Sequence, residues 1–521
     1  MEGSAGRVPL RIRVGVTGHR VLPDEPGISA RVDEILARVQ RMIPSTATTS
    51  VLYEAVSPLG EGADRIVAER IMRLPSAILE VPLPLPRQDY EYDFGSEDSR
   101  RRFDALLERA DRVWVVGGSD RLDSYRQAGE YVVDSCDLLI AIWDGQPSRG
   151  TGGTRDIIES ARRREMPVFV IDARPPFDVR EERMRGPFGL FQEVDRYNRV
   201  DVPAMSRGET GPLPSSVETS GGEGRALQRC RAWIELPFRR ADAVAERYRV
   251  RFLSISRLMF LMSALAILAV AVSIVSRDEE IARAFAFLEV ALMAAALVLW
   301  LLVRRRLHGR WITSRYLAER LRSAVFLSFV GSEDAIEPRP EGAHRGNTQE
   351  WLTRVFREVW RSRPHVDRSD REIEGVKDLL CRAWVDPQVA YYRRRGRTHA
   401  TAFGVLTVAS AILFAATIVA AVLHASERVH GTVSNVVVIL SIALPAFAGA
   451  LTGIAGLEQH ARHAERFRLM ARRLDELRDR LQRAANLERV RDVTLRIEAE
   501  LRTEGDAWVD VMRFQDVELP V

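Results

Sequence analysis

The stretch Asp137–Ile158, DLLIAIWDGQPSRGTGGTRDII, decides how the first half of this chain is read. It opens with an apolar run of strand length, Leu138–Trp143, closed by the turn pair Asp144-Gly145. A short run without polar alternation fits a strand buried on both faces, as at the centre of a parallel sheet. Ser148, Gly150, Thr151, Gly152, Gly153 and Thr154 follow, and helical spacing of apolar residues begins at Ile157. Backbone N–H groups in such a loop, ahead of a helix N-terminus, favour a phosphate or carboxylate. The plainer reading is a flexible crossover. The loop's place at the carboxyl end of a buried strand favours the anion site, because open α/β sheets bind ligands there.

Outward from this stretch, strand and helix patterns alternate. Strands are predicted at Arg11–Gly18, Ser50–Val56, Ala77–Leu83, Val113–Gly117, Leu138–Trp143 and Pro167–Ile171. Helices are predicted at Ser29–Met42, Gly62–Leu74, Ser96–Ala110 and Arg121–Asp134. Regular alternation implies parallel pairing with right-handed crossovers, an α/β Rossmann-like domain. Residues 203–224, rich in Pro, Gly and Ser, read as a mobile connector or surface loop.

Composition narrows the chemistry. The 521 residues suffice for two to four domains. A net charge of +4 does not indicate a bulk nucleic-acid binder. Lys377 is the single lysine, so no Walker, kinase or Schiff-base lysine exists in the first two hundred residues. Any phosphate held there meets backbone amides and arginine. Cys136, Cys230 and Cys381 show no metal-ligand spacing and suit a reducing compartment, and no signal-peptide run opens the chain.

Three strand ends combine glycine with hydrogen-bond donors. They are Thr17-Gly18-His19-Arg20; the loop Ser57–Arg65, with Ser57, Gly60, Gly62, Asp64 and Arg65; and Trp143–Thr154, with Asp144, Gly145, Gly150, Gly152, Gly153 and Thr154. Each side chain has a plainer reading beside the functional one. His19 contacts a phosphate or base, or faces solvent. Arg20 and Arg65 meet a ligand or make surface pairs. Asp64 is a helix cap or a catalytic acid, and Asp144 binds a ribose hydroxyl or closes its turn. Tyr90, Tyr92 and Phe94 stack on a base or pack in the core.

VGVTGHR, SPLGEGADRIVAE, the YEYDF segment and SxCDLLIAIWDG…GTGGT together resemble the SLOG superfamily, over residues 9–175. Those are Rossmann-like nucleotide-binding domains related to the lonely-guy phosphoribohydrolases. The resemblance implies ligand loops at Gly18–Arg20, Gly60–Asp64 and Gly150–Thr154. The hydrolytic pattern P-G-G-x-G-T-x-x-E is not kept: Arg149 stands at the proline, Thr151 at the second glycine and Ile157 at the glutamate. The arginine expected on the preceding helix falls near Ala128. Isoleucine can neither take a proton nor steady an oxocarbenium ion, which argues against an enzyme and for sensing without hydrolysis. No catalytic residue, metal or cofactor is assigned.

The second half changes solvent. Residues 258–275, 284–303, 400–423 and 433–457 are apolar runs of about twenty residues, the length that crosses a bilayer as helix. Short polar hairpins join them in pairs, and arginine crowds one side: Arg249, Arg251, Arg304–Arg306, Arg310, Arg393–Arg395, Arg397, Arg462 and Arg466. The positive-inside rule then places both termini in the cytoplasm, with the protein multi-pass in the inner membrane. Inside the spans, Glu289 is the polar candidate, and Gly449 and Gly453 after Pro445 suit close helix packing. Each pair has a basic, tyrosine-bearing lead-in and a polar helix after it. That unit resembles the SLATT family of membrane effector modules, in tandem at 226–345 and 346–515, with 176–225 as linker or extension. The expected function is a nucleotide-sensing, homo-oligomeric membrane effector of bacterial defence that opens a pore or disrupts the bilayer. A membrane-tethered nucleotide-processing enzyme and a regulated small-ion channel or transporter stand as alternatives.

Overall fold

A computed structural model describes residues 6–146, 153–183, 187–202, 211, 221–331, 350–366, 372–426, 429–457 and 459–513. In chain order the elements are β1 (Leu10–Gly18), α1 (Glu25–Met42), β2 (Val51–Val56), α2 (Ala63–Ile71), β3 (Ile78–Leu83), α3 (Arg87–Glu91), α4 (Glu97–Leu107), β4 (Arg112–Val115), α5 (Arg121–Ser135), β5 (Leu138–Trp143), α6 (Thr154–Arg163), β6 (Val168–Asp172), β7 (Val179–Glu182) and α7 (Pro187–Asn198). Then come α8 (Gly221–Val275), α9 (Glu279–Phe329), α10 (Glu350–Arg361), α11 (Ile373–Leu380), a π turn at Cys381–Val385, α12 (Asp386–Ala425), α13 (Thr432–Leu457), α14 (His460–Gln482) and α15 (Leu487–Arg513). They form two compact units: Met1–Asp201 with Glu337–Arg361, and Val202–Ile336 with Ser362–Val521.

The first unit is a seven-stranded sheet in the order β4-β3-β2-β1-β5-β6-β7, parallel except for β7. The predicted strands and helices all form, with ends within a few residues of expectation. β5 is buried along Leu138–Ile142 because helices cover both its faces, which is why its sequence shows no alternation. Capping explains the helix starts: Asp24 accepts from Gly27 N, Ser96 from Ser99 N and Asp120 from Asp123 N.

Two parts of this unit depart from the predicted layout. Residues 176–198 are not a connector. β7 pairs antiparallel with β6, and α7 ties the sheet's first strand through Asn198, which accepts from Val8 N at 3.0 Å and donates to Val8 O at 2.7 Å. Asp195 on the same helix accepts from the hydroxyls of Thr46, Thr48 and Thr49 at 2.7–2.9 Å. The other departure is α10, expected to open the second membrane unit, which instead belongs to the α/β unit. Its apolar stripe Trp351, Leu352, Val355, Phe356, Val359 and Trp360 is buried, with Trp351 against Tyr197. A twelve-residue amphipathic helix needs an apolar surface to fold on, and α7 supplies part of it through Tyr197. Residues 332–349 and, apart from Gly211, residues 203–220 of the Pro-, Gly- and Ser-rich stretch lie outside the described residues.

In the second unit four helices are long and apolar enough to cross a membrane. α8 and α9 form one hairpin, with Asp278 capping α9, and α12 and α13 form the other. α13 packs against α8. Side chains such as Phe287, Val290, Met293, Val405, Ile412 and Phe414 stay exposed, the apolar surface that a bilayer solvates. Lys377, the lone lysine, is buried and donates to the carbonyls of Gln482 (2.9 Å) and Ala484 (3.3 Å), closing the C-terminus of α14.

Of the two glycines in the G-x-x-x-G step, Gly453 makes the close approach: a Cβ there would lie 2.9 Å from Phe260 Cδ1 of α8, whereas one at Gly449 meets nothing within 4 Å. Gly453→Val is therefore expected to lower the melting temperature in detergent by several degrees, as overpacking costs about 1–3 kcal/mol. Gly449→Val should leave it unchanged. Equal effects would contradict this packing.

Candidate ligand site at the carboxyl edge of the sheet

β1 runs on through α1 to β2 on one side, and β5 runs on through α6 to β6 on the other. Strand order therefore reverses between β1 and β5, and a crevice opens at their carboxyl ends. Because β1, β2 and β5 are parallel, the three glycine-bearing loops leave from that same edge.

Close backbone contacts require glycine here. Gly18 is the last residue of β1, opposite Ile142. A Cβ on Gly18 would collide with Ala63 Cβ and lie 2.8 Å from Ile142 O. Gly62 has φ +74° and would drive a Cβ into the carbonyl oxygens of His19 and Arg20. Ala63 N donates to His19 O at 3.1 Å, and His19 N donates to Ile142 O at 3.2 Å. The first two loops and the end of β5 thus form one knot. Gly145 also has positive φ, +82°, with open space where a Cβ would sit. Gly153 caps α6 and Thr154 begins it, while Gly150 and Gly152 lie outside the described residues. Thr17, beside Ala141, is partly buried.

His19 and Asp144 meet across the crevice. His19 Nε2 lies 2.9 Å from Asp144 Oδ1 and 3.1 Å from Asp144 N, so this nitrogen either donates to the carboxylate or accepts from the amide. Burial pulls the Asp144 carboxyl up, but the Gln146 N–H and the His19 ring outweigh it and hold it below its ordinary value. Asp144 Oδ1 also accepts from Gln146 N at 3.0 Å, so it closes its turn as well as facing the crevice.

Several predicted ligand residues are instead scaffold. Arg65 is buried, donating to Leu59 O (2.9 Å), Ser99 O (2.8 Å) and Ser99 Oγ (2.7 Å), with its guanidinium 4.4 Å from the Phe94 ring centroid. Ser57 Oγ accepts from Leu59 N and donates to Asp64 O. Tyr90 and Phe94 are core residues packed edge-on, and Tyr92 is exposed.

Beside that scaffold sits a polar group that sequence reasoning only half found. Asp64 accepts from Gly60 N at 3.2 Å, and burial pushes its carboxyl up to about 7 against that bond and the pull of Arg20 and Arg65. Arg20 lies 5.4 Å above the Tyr125 ring and 3.9 Å from Asp93. Asp93 also takes the Tyr125 hydroxyl and Arg121, and burial pushes Tyr125 up to about 12. Asp93 sits in the YEYDF segment between α3 and α4, while Arg121 and Tyr125 carry no motif and come to this edge on α5. Exposed Arg20 and Arg121 can hold an anion, and Asp144 and Asp64 can take hydroxyl or amino groups.

Position 157 supplies no acid. Ile157 is buried, and a Cβ on Gly129 would come within 2.5 Å of its Cδ1, so the side chain seals α6 against α5. Ala128 is buried too, and Glu159 turns outward to pair with Arg155 at 2.9 Å. Among the described residues no cluster of metal-ligating side chains occurs.

Comparison with known families bears on the C-terminal part of the chain. Residues 381–508 match the family model SMODS and SLOG-associating 2TM effector domain 1, SLATT_1. No curated protein matches the chain. The SLATT domain runs from the π turn through α12, α13 and α14 into α15, and so contains the second pair of candidate spans. α8 and α9 repeat the plan of a long helix entering a span and a second leaving it. There the exit helix is unbroken, whereas the SLATT domain breaks at Gln459, which is left-handed at φ +44°.

The Asp64 carboxyl gives a pH test. Its folded pKa stands above the ordinary 3.8, so the native state binds the extra proton, and its contribution to stability is lost as pH rises from about 4 through 7. Asp64→Asn should raise the first melting transition at pH 8, by on the order of 2 kcal/mol, and change it little at pH 4. A parallel shift at both pH values would count against a buried neutral acid.

Proposed function

We propose that this protein is a membrane-anchored sensor of a nucleotide or nucleotide-derived second messenger, whose binding gates a membrane-disrupting effector in a bacterial conflict system. The observation that carries the reading is the union, in one chain, of a SLATT effector domain with a doubly wound sheet whose reversal point is lined by glycine turns. The SLOG-like motifs at Gly18–Arg20 and Gly60–Asp64 lie on that edge. Ile157, sealed in the core where hydrolytic relatives of the SLOG type carry glutamate, supports sensing over cleavage. Arginine-rich flanks support a cytoplasmic sensor with both termini inside. A ligand gates only through unequal affinity for two states, and assembly of several copies is the simplest route from two short hairpins to a pore.

Asp64, titrating near neutrality beside the crevice, favours a second reading in which the domain also processes its nucleotide. Full-length protein in phosphatidylethanolamine–phosphatidylglycerol vesicles loaded with carboxyfluorescein separates the two. A panel of cyclic, oligomeric and linear nucleotides, with NAD, is added and both dye and nucleotide are followed. Sensing predicts dye release with the nucleotide recovered intact, and loss of release in Gly62→Ala, by tenfold or more. Free base in the medium supports processing, and sealed vesicles with nucleotide bound at saturation would overturn the effector reading.

A further inference from the structure

α10 stands between the two pairs of candidate spans in the chain, yet it completes the α/β unit. Its charged side meets one face of the sheet. Arg11 and Arg13 lie two residues apart on β1 and share that face. Arg13 bonds Glu54 of β2 at 3.0 Å and Glu80 of β3, and Arg361 reaches the same carboxylates at 2.9 and 3.5 Å. Glu358 takes Arg11 at 3.0 Å, and Arg354 pairs with Asp137. Asp137 in turn accepts from Arg13 N at 2.7 Å and donates its own N–H to Arg13 O at 2.7 Å.

The strands that α10 grips are the ones that form the crevice. β1 meets α10 directly at Arg11 and, through Glu54 and Glu80, at Arg13, and it ends at Gly18 and His19. β5 meets it at Asp137 and ends at Trp143 and Asp144. Each is a straight path of six or seven residues, about 20 Å. A change in the spacing of the two strand ends therefore has a direct mechanical route to the helix.

The docking is also poised. Arg357 Nε is buried with no hydrogen-bond partner. Burial, with Arg13 and Arg354 nearby, brings the Arg357 guanidinium down to about 10. Burial of the Arg357 charge, with its Nε unpartnered, outweighs the pull of Glu54 and Glu80 and opposes the docked state, while the Arg361 and Glu358 pairs and the apolar stripe favour it. Two sets of contacts of opposite sign are what a helix needs to leave its seat without unfolding the sheet.

We propose that α10 is a releasable latch, which undocks from a folded sheet and so passes the state of the β1–β5 crevice to the chain between the two pairs of spans. This rests on the sensor reading above. Coupling of this kind requires a two-state element that both sites bias, and α10 is that element.

Hydrogen exchange of the full-length protein in the same vesicles tests it, with carboxyfluorescein release read in parallel. Arg361→Gln removes a docking pair and leaves Arg13 between Glu54 and Glu80; Arg357→Met removes the opposing charge and keeps the stem. The latch predicts that α10 amides exchange at least tenfold faster than those of β1 and β5 in wild type. Arg361→Gln should speed α10 further, Arg357→Met should slow it severalfold, and β1 should not change in either. Dye release should rank Arg361→Gln above wild type above Arg357→Met. Exchange of α10 only together with β1, in all three proteins, overturns the latch and makes α10 a fixed strut. Dye release that is equal in all three also overturns it. If the exchange order holds while no protein ever releases dye, the latch opening stands and the effector reading is what fails.

Discussion

Two carboxylates on a buried sheet face set the terms for the whole soluble unit. Glu54 and Glu80 sit on adjacent strands, and burial alone would drive both protons on. Arg13, Arg361 and Arg357 overcome that for Glu54 and bring it down to about 2, while Glu80, crowded by Glu54, stays above its ordinary range. Removing a partner from such a network typically costs about 3–5 kcal/mol. The sheet is thus committed to a helix that arrives from beyond the first pair of spans. A domain cut at residue 201 would keep the strands and Arg13 but lose Arg357 and Arg361.

This arrangement gives the α/β unit two working ends. At the carboxyl edge, glycine at 18 and 62 lets the first two loops meet the end of β5, where His19 and Asp144 pair. Toward the amino edge, the same two strands are held by α10. The second unit holds the stretch that matches the SLATT_1 model, with a pair of apolar helices, preceded by a second pair long and apolar enough to cross a membrane. Its exposed apolar side chains need lipid or further copies of the chain around them.

Much of the α/β core was legible because local pattern and tertiary role agree there. The run LLIAIW names a buried central strand, and Gly18 and Gly62 mark turns whose backbone leaves no room for a side chain. What escaped needed three dimensions. EWLTRVFREVWR has an evident apolar stripe, but nothing in it says that the charged side of the helix pairs with strands three hundred residues earlier. Residues 176–198 read as extension because β7 is four residues long and mixed in polarity. Arg65 looked like Arg20 in sequence, yet one is sealed over Phe94 and the other is half exposed over Tyr125. Tyr125 and Arg121 joined Asp93 of the YEYDF segment by topology alone. The spans were legible from length and apolarity, since a bilayer allows few alternatives.

The account stands on movement of α10 against a sheet that stays intact. Its most direct measurement is the distance between spin labels at position 350 of α10 and position 163 of α6, by double electron–electron resonance in nanodiscs. A nucleotide that binds the full-length protein should create a second, longer distance population while a label pair between α5 and α6 keeps its single distance. One unchanged distance at saturation, under conditions in which vesicles leak, would contradict it.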